Sequence, residues 1–419
     1  MAGVSRRGRT GAGIAGAGGG RMHSAPAHQP IPVLDLVAVM MTSTLVGAAM
    51  SLGFPLFSLV LENQGEPRWV IGLITAAQGL GVFCIAPFAP RIIERLMARR
   101  TMQLGIILSV IAILLMPLNI EPVTWFVLRL LLGMGAGLIF IVSEAAVNAL
   151  AQDHNRGRIL GVYGTLFCVG YAAGPLIIAT AGTEGWQPYL MAATLLALGL
   201  WPAFAARAID PALAGHQPPF FSKELLTAIK IALLPLTAII IFGLTEASIF
   251  GFLPLYGLDH GLLENTAALM LSVWIAGNII LQYPIGMISD RFPRRLVLVW
   301  SAALAALFIA ALPWVIGSDY ALWPVLLAQG SAMGGIYVLS LALLGERFRG
   351  PMLAVANTAF VVAIELGLII GPAMTGLLIT GFTSAILPWA MAGCLAALSM
   401  VAFFARPHSK AVSNIDLRR

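Results

Sequence analysis

The chain has 419 residues, 59% of them hydrophobic and 10% charged, with a mean hydropathy of +0.92. Soluble domains carry roughly 45–50% apolar and about 25% charged residues, so water is excluded as the main solvent. The net charge of +6 points first to a nucleic-acid partner, but in a bilayer protein the position of the charges matters more than their sum.

The first 32 residues hold Arg6, Arg7, Arg9 and Arg21, no acid, and a Gly/Ala run over 11–20. No apolar core of signal-peptide type follows, so 1–32 reads as a disordered cytoplasmic tail. Gly11-Ala12-Gly13-Ile14-Ala15-Gly16 matches the dinucleotide fingerprint in form. It follows no strand and opens no helix, and no nucleotide site is expected there.

A bilayer-spanning helix needs about 20 apolar residues. Twelve such stretches follow, at roughly 33–60, 69–90, 102–120, 122–147, 158–182, 186–206, 229–257, 264–288, 296–316, 321–345, 351–380 and 385–405. Lipid cannot satisfy free backbone groups, so each reads as an α-helix. Cys84, Cys168 and Cys394 lie inside these runs with neither zinc nor disulfide spacing, and read as small core residues. Of the 24 Lys and Arg, 22 fall in the two tails and the even-numbered loops. Arg68 alone falls on the other side, and Arg129 within a span. The positive-inside rule then places both termini and the even loops in the cytoplasm, as expected for an inner-membrane protein.

A repeat runs through the chain. Gly133-x-x-x-Gly137 recurs as Gly330-x-x-x-Gly334, Gly170-x-x-x-Gly174-Pro175 as Gly367-x-x-x-Gly371-Pro372, and Pro87 as Pro284, always 197 residues on. The fold expected is an all-α integral membrane protein of two parallel six-helix halves, 33–206 and 229–405. A cytoplasmic linker, 207–228, joins them, and a tail, 406–419, follows. That is the architecture in which a site between the halves is exposed alternately to the two sides.

The segment Gly286-Met287-Ile288-Ser289-Asp290-Arg291-Phe292-Pro293-Arg294-Arg295 resembles the signature loop of the major facilitator superfamily. Arg129-Leu130-Leu131-Leu132-Gly133-Met134-Gly135-Ala136-Gly137 is similar to that family's fourth-helix motif, and Gly170-x-x-x-Gly174-Pro175 to its antiporter motif. The resemblance, to the bacterial twelve-helix efflux and antiporter-like branch, covers about 33–405. Two departures stand out. In the first half Ile93 stands at the place of Asp290, with Glu94 one residue on, and Ile178 and Ala179 follow Gly174-Pro175 where a glycine pair is usual.

Charged side chains within a bilayer cost about 2.5–3.5 kcal/mol each on insertion scales and ask for a reason. The candidates are Arg129, Glu246, Glu365, Glu144 and Asp35. The resemblance implies that the first, fourth, seventh and tenth helices line the cavity, which makes Arg129 and Glu246 the residues expected to face substrate. Mutual satisfaction, backbone capping or snorkelling accounts for the same residues without function, most readily for Glu144 and Asp35. Gly286, Asp290, Arg291, Arg294 and Arg295 are expected to form a conformational latch, or only a positive anchor. The small-residue pairs Gly133/Gly137, Gly170/Gly174 and Gly367/Gly371 allow close helix packing, and Pro175 and Pro372 permit bends.

No His-Glu-x-x-His, Gly-x-Ser-x-Gly or Gly-x-x-x-x-Gly-Lys-[Ser/Thr] motif is present, so an enzyme and an ATP-driven pump are disfavoured. No catalytic residue, metal, cofactor or nucleic-acid partner is expected. The function expected is secondary transport of small molecules by a monomer in the lipid bilayer, with protons as coupling ion and efflux of apolar or weakly charged compounds. Sugar or metabolite transport is the alternative, and a transporter-like sensor a further one.

Overall fold

A computed structural model describes residues 33–151, 156–213, 223–348 and 351–405. The expected tails 1–32 and 406–419, and residues 214–222 of the expected linker, lie outside the described residues. Twelve helices among the described residues are long and apolar enough to cross a membrane. Spans 1 to 6 are Val33–Asn63, Arg68–Ile85, Ala98–Leu118, Pro122–Leu150, Ile159–Ala181 and Gln187–Ala205. Spans 7 to 12 are Leu233–Asp259, Glu264–Arg291, Arg294–Val315, Leu322–Arg347, Val355–Gly381 and Ile386–Phe404. Inside them, hydroxyls return to the helix they stand on: Thr42 donates to the Ala38 carbonyl, Thr75 to Ile71 and Ser248 to Leu244. These hydroxyls are thereby satisfied without water.

Span 2 departs from its expected end. It stops at Ile85, and a separate helix, Ala89–Leu96, follows a turn. Pro87 has no amide to continue the ladder, the Phe88 amide bonds three residues back to Ile85, and Pro90 sits in the first turn of the new helix.

The repeat is visible in the packing. Span 1 packs on span 5 as span 7 packs on span 11, and span 2 on span 4 as span 8 on span 10. Glycines make each approach possible. A Cβ on Gly170 would run into the Thr44 carbonyl, and one on Gly367 into that of Ile240. Likewise Gly133 faces the Gln78 carbonyl and Gly330 that of Trp274, while Gly81 faces Leu130 and Gly277 faces Leu327.

These pairs also correct the repeat register. Gly133 and Gly330 differ by 197, but their partners Gln78 and Trp274, and likewise Gly81 and Gly277, differ by 196. Span 3 begins at Ala98 and span 9 at Arg294, again 196 apart. At that offset Glu94, not Ile93, is the counterpart of Asp290. Side-chain direction agrees: Ile93 is buried, whereas Glu94 and Asp290 are both exposed. Arg99 and Arg295 then correspond, and each donates to a carbonyl near the end of its half's last span, Phe204 and Ala405.

The halves meet along spans 2 and 11, spans 5 and 8, and spans 1 and 7. The first seam is backbone against backbone. Gly72 faces the Pro372 carbonyl, and Gly376 faces the Arg68 carbonyl.

Candidate functional site

Gly81 and Gly133 bring spans 2 and 4 close enough for Arg129 to reach a carbonyl of span 2. Its Nε donates to the Ile74 oxygen at 3.3 Å. The side chain is 1% exposed, and its guanidinium lies 4.8 Å from the Phe57 ring centre and 5.7 Å from that of Phe54. Nη1 has no hydrogen-bond partner among the described residues. The cation is held by ring faces and one backbone dipole instead of a carboxylate.

Glu246 on span 7 and Glu365 on span 11 are close enough to interact electrostatically. Glycines hold spans 7 and 11 close beside the acids: Gly243, one turn before Glu246, abuts the carbonyl of Ile364, the residue before Glu365, and Gly367 abuts that of Ile240. Neither carboxylate forms an ion pair among the described residues, and Oε2 of Glu365 is buried without a partner. Tyr171 of span 5 lies within electrostatic reach of Arg129, Glu246 and Glu365, and Cys168 within reach of Glu246. Tyr171 therefore joins three of the expected residues into one cluster across the two halves.

Above this cluster, toward Arg68, the halves are sealed. Phe54 stacks on Phe250 across the interface at 4.7 Å, and Tyr171 packs against both. Further out, Arg68 binds Glu62 of its own half at 2.6 Å and Asp259 of the other at 2.8 Å. The Trp69 amide donates to Thr380 at 3.1 Å, and Thr183 donates to Glu264. Below the cluster stand Glu144 and the first turns of span 5. Glu144 on span 4 is close enough to Tyr337 of span 10 to interact with it, yet its side chain is exposed. Val162 and Val169 of span 5 are 46% and 56% exposed, and a Cβ on Gly161 or Gly164 would meet no neighbour.

The remaining expected residues lie apart from the cluster. Asp35 accepts the Ala208 amide at 2.7 Å and ties span 1 to the chain leaving span 6. Among the latch residues, Arg294 lies 3.5 Å from Asp290 and 3.3 Å from Glu346, all within the second half, and the Asp290 side chain is 72% exposed. Arg295 donates to the Ala405 carbonyl. Gly286 has open space around it. Gln78 donates to the Met50 sulfur at 3.8 Å, and Gln329 accepts from the Trp274 indole.

Sequence reading missed Tyr171, Phe54 and Phe250. Aromatic residues in an apolar span give no local sign of which neighbour they meet. The contacts of Gly170 with Thr44 and of Gly367 with Ile240 make Phe54 and Phe250 equivalent positions, but nothing in either segment announces that they stack. Arg68, as the lone basic residue opposite the others, carried a signal that charge counting exposed without a role.

Comparison with known proteins agrees with the twelve-helix fold. The chain is 25% identical over 377 residues to the MFS-type transporter YfkF of Bacillus subtilis, covering 87% of this chain and 93% of that one. It is 27% identical over 370 residues to the MFS-type transporter YE1530 of Yersinia enterocolitica, covering 86% and 92%. The solved nucleoside transporter NupG superimposes with a TM-score of 0.73 at 12% identity, covering 89% of this chain and all of the other. A D-xylose–proton symporter gives 0.69 at 14%, covering 91% and 100%. A bacterial homolog of the human lysosomal transporter Spinster, in an inward-facing and unoccupied conformation, gives 0.66 at 13%, covering 89% and 94%. The family profile of the Major Facilitator Superfamily matches residues 39–263 and 235–419, and the chain therefore belongs to that superfamily as a multi-pass secondary transporter of small molecules, not an enzyme.

Proposed function

We propose that this transporter exports small apolar or weakly charged compounds by alternating access, driven by protons, as a monomer in a bacterial inner membrane with both termini cytoplasmic. The observation that carries the proposal is the Glu246–Glu365 pair. Two carboxylates deep in apolar spans, one within the electrostatic influence of the other and neither bonded to a cation among the described residues, form a place to take up and release a proton. Tyr171 stands between this pair and Arg129, within electrostatic reach of all three. Alternating access would expose it in turn at the basic end and at the Arg68 end.

The walls support the choice of cargo. Phe54, Phe250 and Tyr171 offer ring faces to an apolar cargo. The 22 basic residues on one face support the orientation.

The test uses the purified chain in liposomes with an imposed pH gradient and a panel of hydrophobic cations and sugars. Glu246→Gln is expected to abolish accumulation against a gradient while retaining substrate exchange, because the amide mimics the protonated acid. Uphill, proton-dependent transport at parent rates in both Glu246→Gln and Glu365→Gln would reject the pair as the coupling site. Sugar-driven proton flux would replace the cargo reading with the sugar one.

A further inference from the structure

One groove on the outer surface of the second half has no part in the cluster between the halves. The short helix Lys223–Ile231 ends just before span 7 begins at Leu233. Where this junction meets the ends of spans 10 and 12, a groove of about 600 Å³ opens. Its volume falls within the range of about 300–1,000 Å³ usual for small-ligand clefts. Lys230, Arg347 and Thr237 line its polar part, and Leu233, Met400 and Phe404 its apolar part.

The charges are arranged for a ligand. Lys230 is exposed and makes no ion pair with a described residue. Arg347 is fixed at the mouth by donating from Nη1 to the Ile231 carbonyl at 2.7 Å, which leaves its other N–H groups to a partner. Arg295 reaches the Ala405 carbonyl on the groove's rim and adds a third cation. Glu346 interacts with Arg347 but lies 3.3 Å from Arg294, which shares its charge. Below the cations the walls are bare hydrocarbon: Leu233, Met400 and Phe404 are 62%, 62% and 74% exposed.

We infer that this groove binds an anionic phospholipid of the leaflet on the basic face. Its phosphodiester sits between Lys230 and Arg347, and an acyl chain lies along Leu233, Met400 and Phe404. A soluble anion has no use for the apolar floor, and a zwitterionic headgroup compensates the clustered cations less well than one with net negative charge. Basic pockets between helices at the basic side of a membrane protein suit this class of ligand. An occupied groove clamps the ends of spans 7, 10 and 12 together on the side away from the first half.

The experiment titrates the purified full chain in detergent with phosphatidylglycerol or phosphatidylcholine and counts bound lipid by native mass spectrometry. Phosphatidylglycerol is expected to bind more tightly, and Lys230→Ala to weaken it about fivefold while leaving phosphatidylcholine unchanged. Lys230 holds nothing in the fold, so the variant tests binding without testing folding. Arg347→Lys, which keeps a cation but loses the forked donor set, is expected to weaken it less. Arg91→Ala, an exposed cation on the basic face of the first half, is the control and is expected to change neither lipid. Equal loss in Arg91→Ala, unchanged affinity in Lys230→Ala, or displacement of the lipid by millimolar glycerol phosphate would each overturn the assignment.

Discussion

At the Arg68 end the halves are joined by side chains that cross between them: Arg68 to Asp259, Trp69 to Thr380, Thr183 to Glu264, and Phe54 on Phe250. At the basic end the named polar links stay inside one half or reach only the start of the linker. Arg294 bonds with Asp290 and Glu346, and Arg99 lies 3.7 Å from Asp210. The difference shows where the free energy of this conformation resides. Opening the basic end breaks none of these links, whereas opening the Arg68 end breaks a set of partly shielded ones. Individually such pairs contribute about 0–1 kcal/mol, so the closed end is held by their sum and by ring packing.

The largest test of that contrast is steric. Gly376→Leu places a side chain against the Arg68 backbone and is expected to cost the closed arrangement about 3 kcal/mol, roughly a hundredfold in population. Transport into liposomes should fall accordingly, and a cysteine at position 256, where the parent side chain is 1% exposed and takes no part in these links, should label faster from the Arg68 side. Labelling unchanged from the parent would mean that the seam does not hold that end shut. Next comes charge. Arg68→Ala removes both ion pairs and is expected to shift the same labelling rate about fivefold toward the open form, with an effect that shrinks as salt rises.

The third test concerns the other end. Glu94 and Asp290 occupy matched positions, so Glu94→Gln and Asp290→Asn are expected to lower transport by similar factors, about two- to fivefold, with expression intact. A loss confined to Asp290→Asn would restore the asymmetric picture. The smallest effect is expected at Gly161, which has no neighbour in this conformation. Gly161→Ala should raise thermal stability by about 0.5–1 kcal/mol through backbone entropy. A fall in transport without a fall in stability would show that Gly161 packs closely only when the basic end shuts.

Much of this architecture is legible without coordinates, because membrane burial writes itself into composition. Span limits follow from runs of apolar residues, and their alternation from the placement of basic residues. The break at Ile85 was harder to see, since Pro87 sits within an otherwise apolar stretch and an interior proline is compatible with a helix elsewhere, as Pro55 and Pro254 show. The register at Glu94 was hidden for a different reason. Glycine motifs align spans 4 and 10 at 197 residues, and only packing shows that spans 2 and 8 have slipped by one. Glu246, Glu365 and Arg129 were visible as charges in the wrong solvent. Their common neighbour, Tyr171, was not, because proximity between spans 4, 5, 7 and 11 is a property of the bundle.

The contact of Gly72 with the Pro372 carbonyl and of Gly376 with the Arg68 carbonyl has a mechanical meaning. Interlocked side chains behave as gear teeth: to slide past one another they must change rotamer, and each change is a barrier. Two bare backbones behave as a plain bearing. Spans 2 and 11 have little to disengage where these glycines meet, so a small tilt of one half on the other proceeds there with low friction. The same smoothness makes the line intolerant of bulk, since a single added methyl group is grit on the bearing surface.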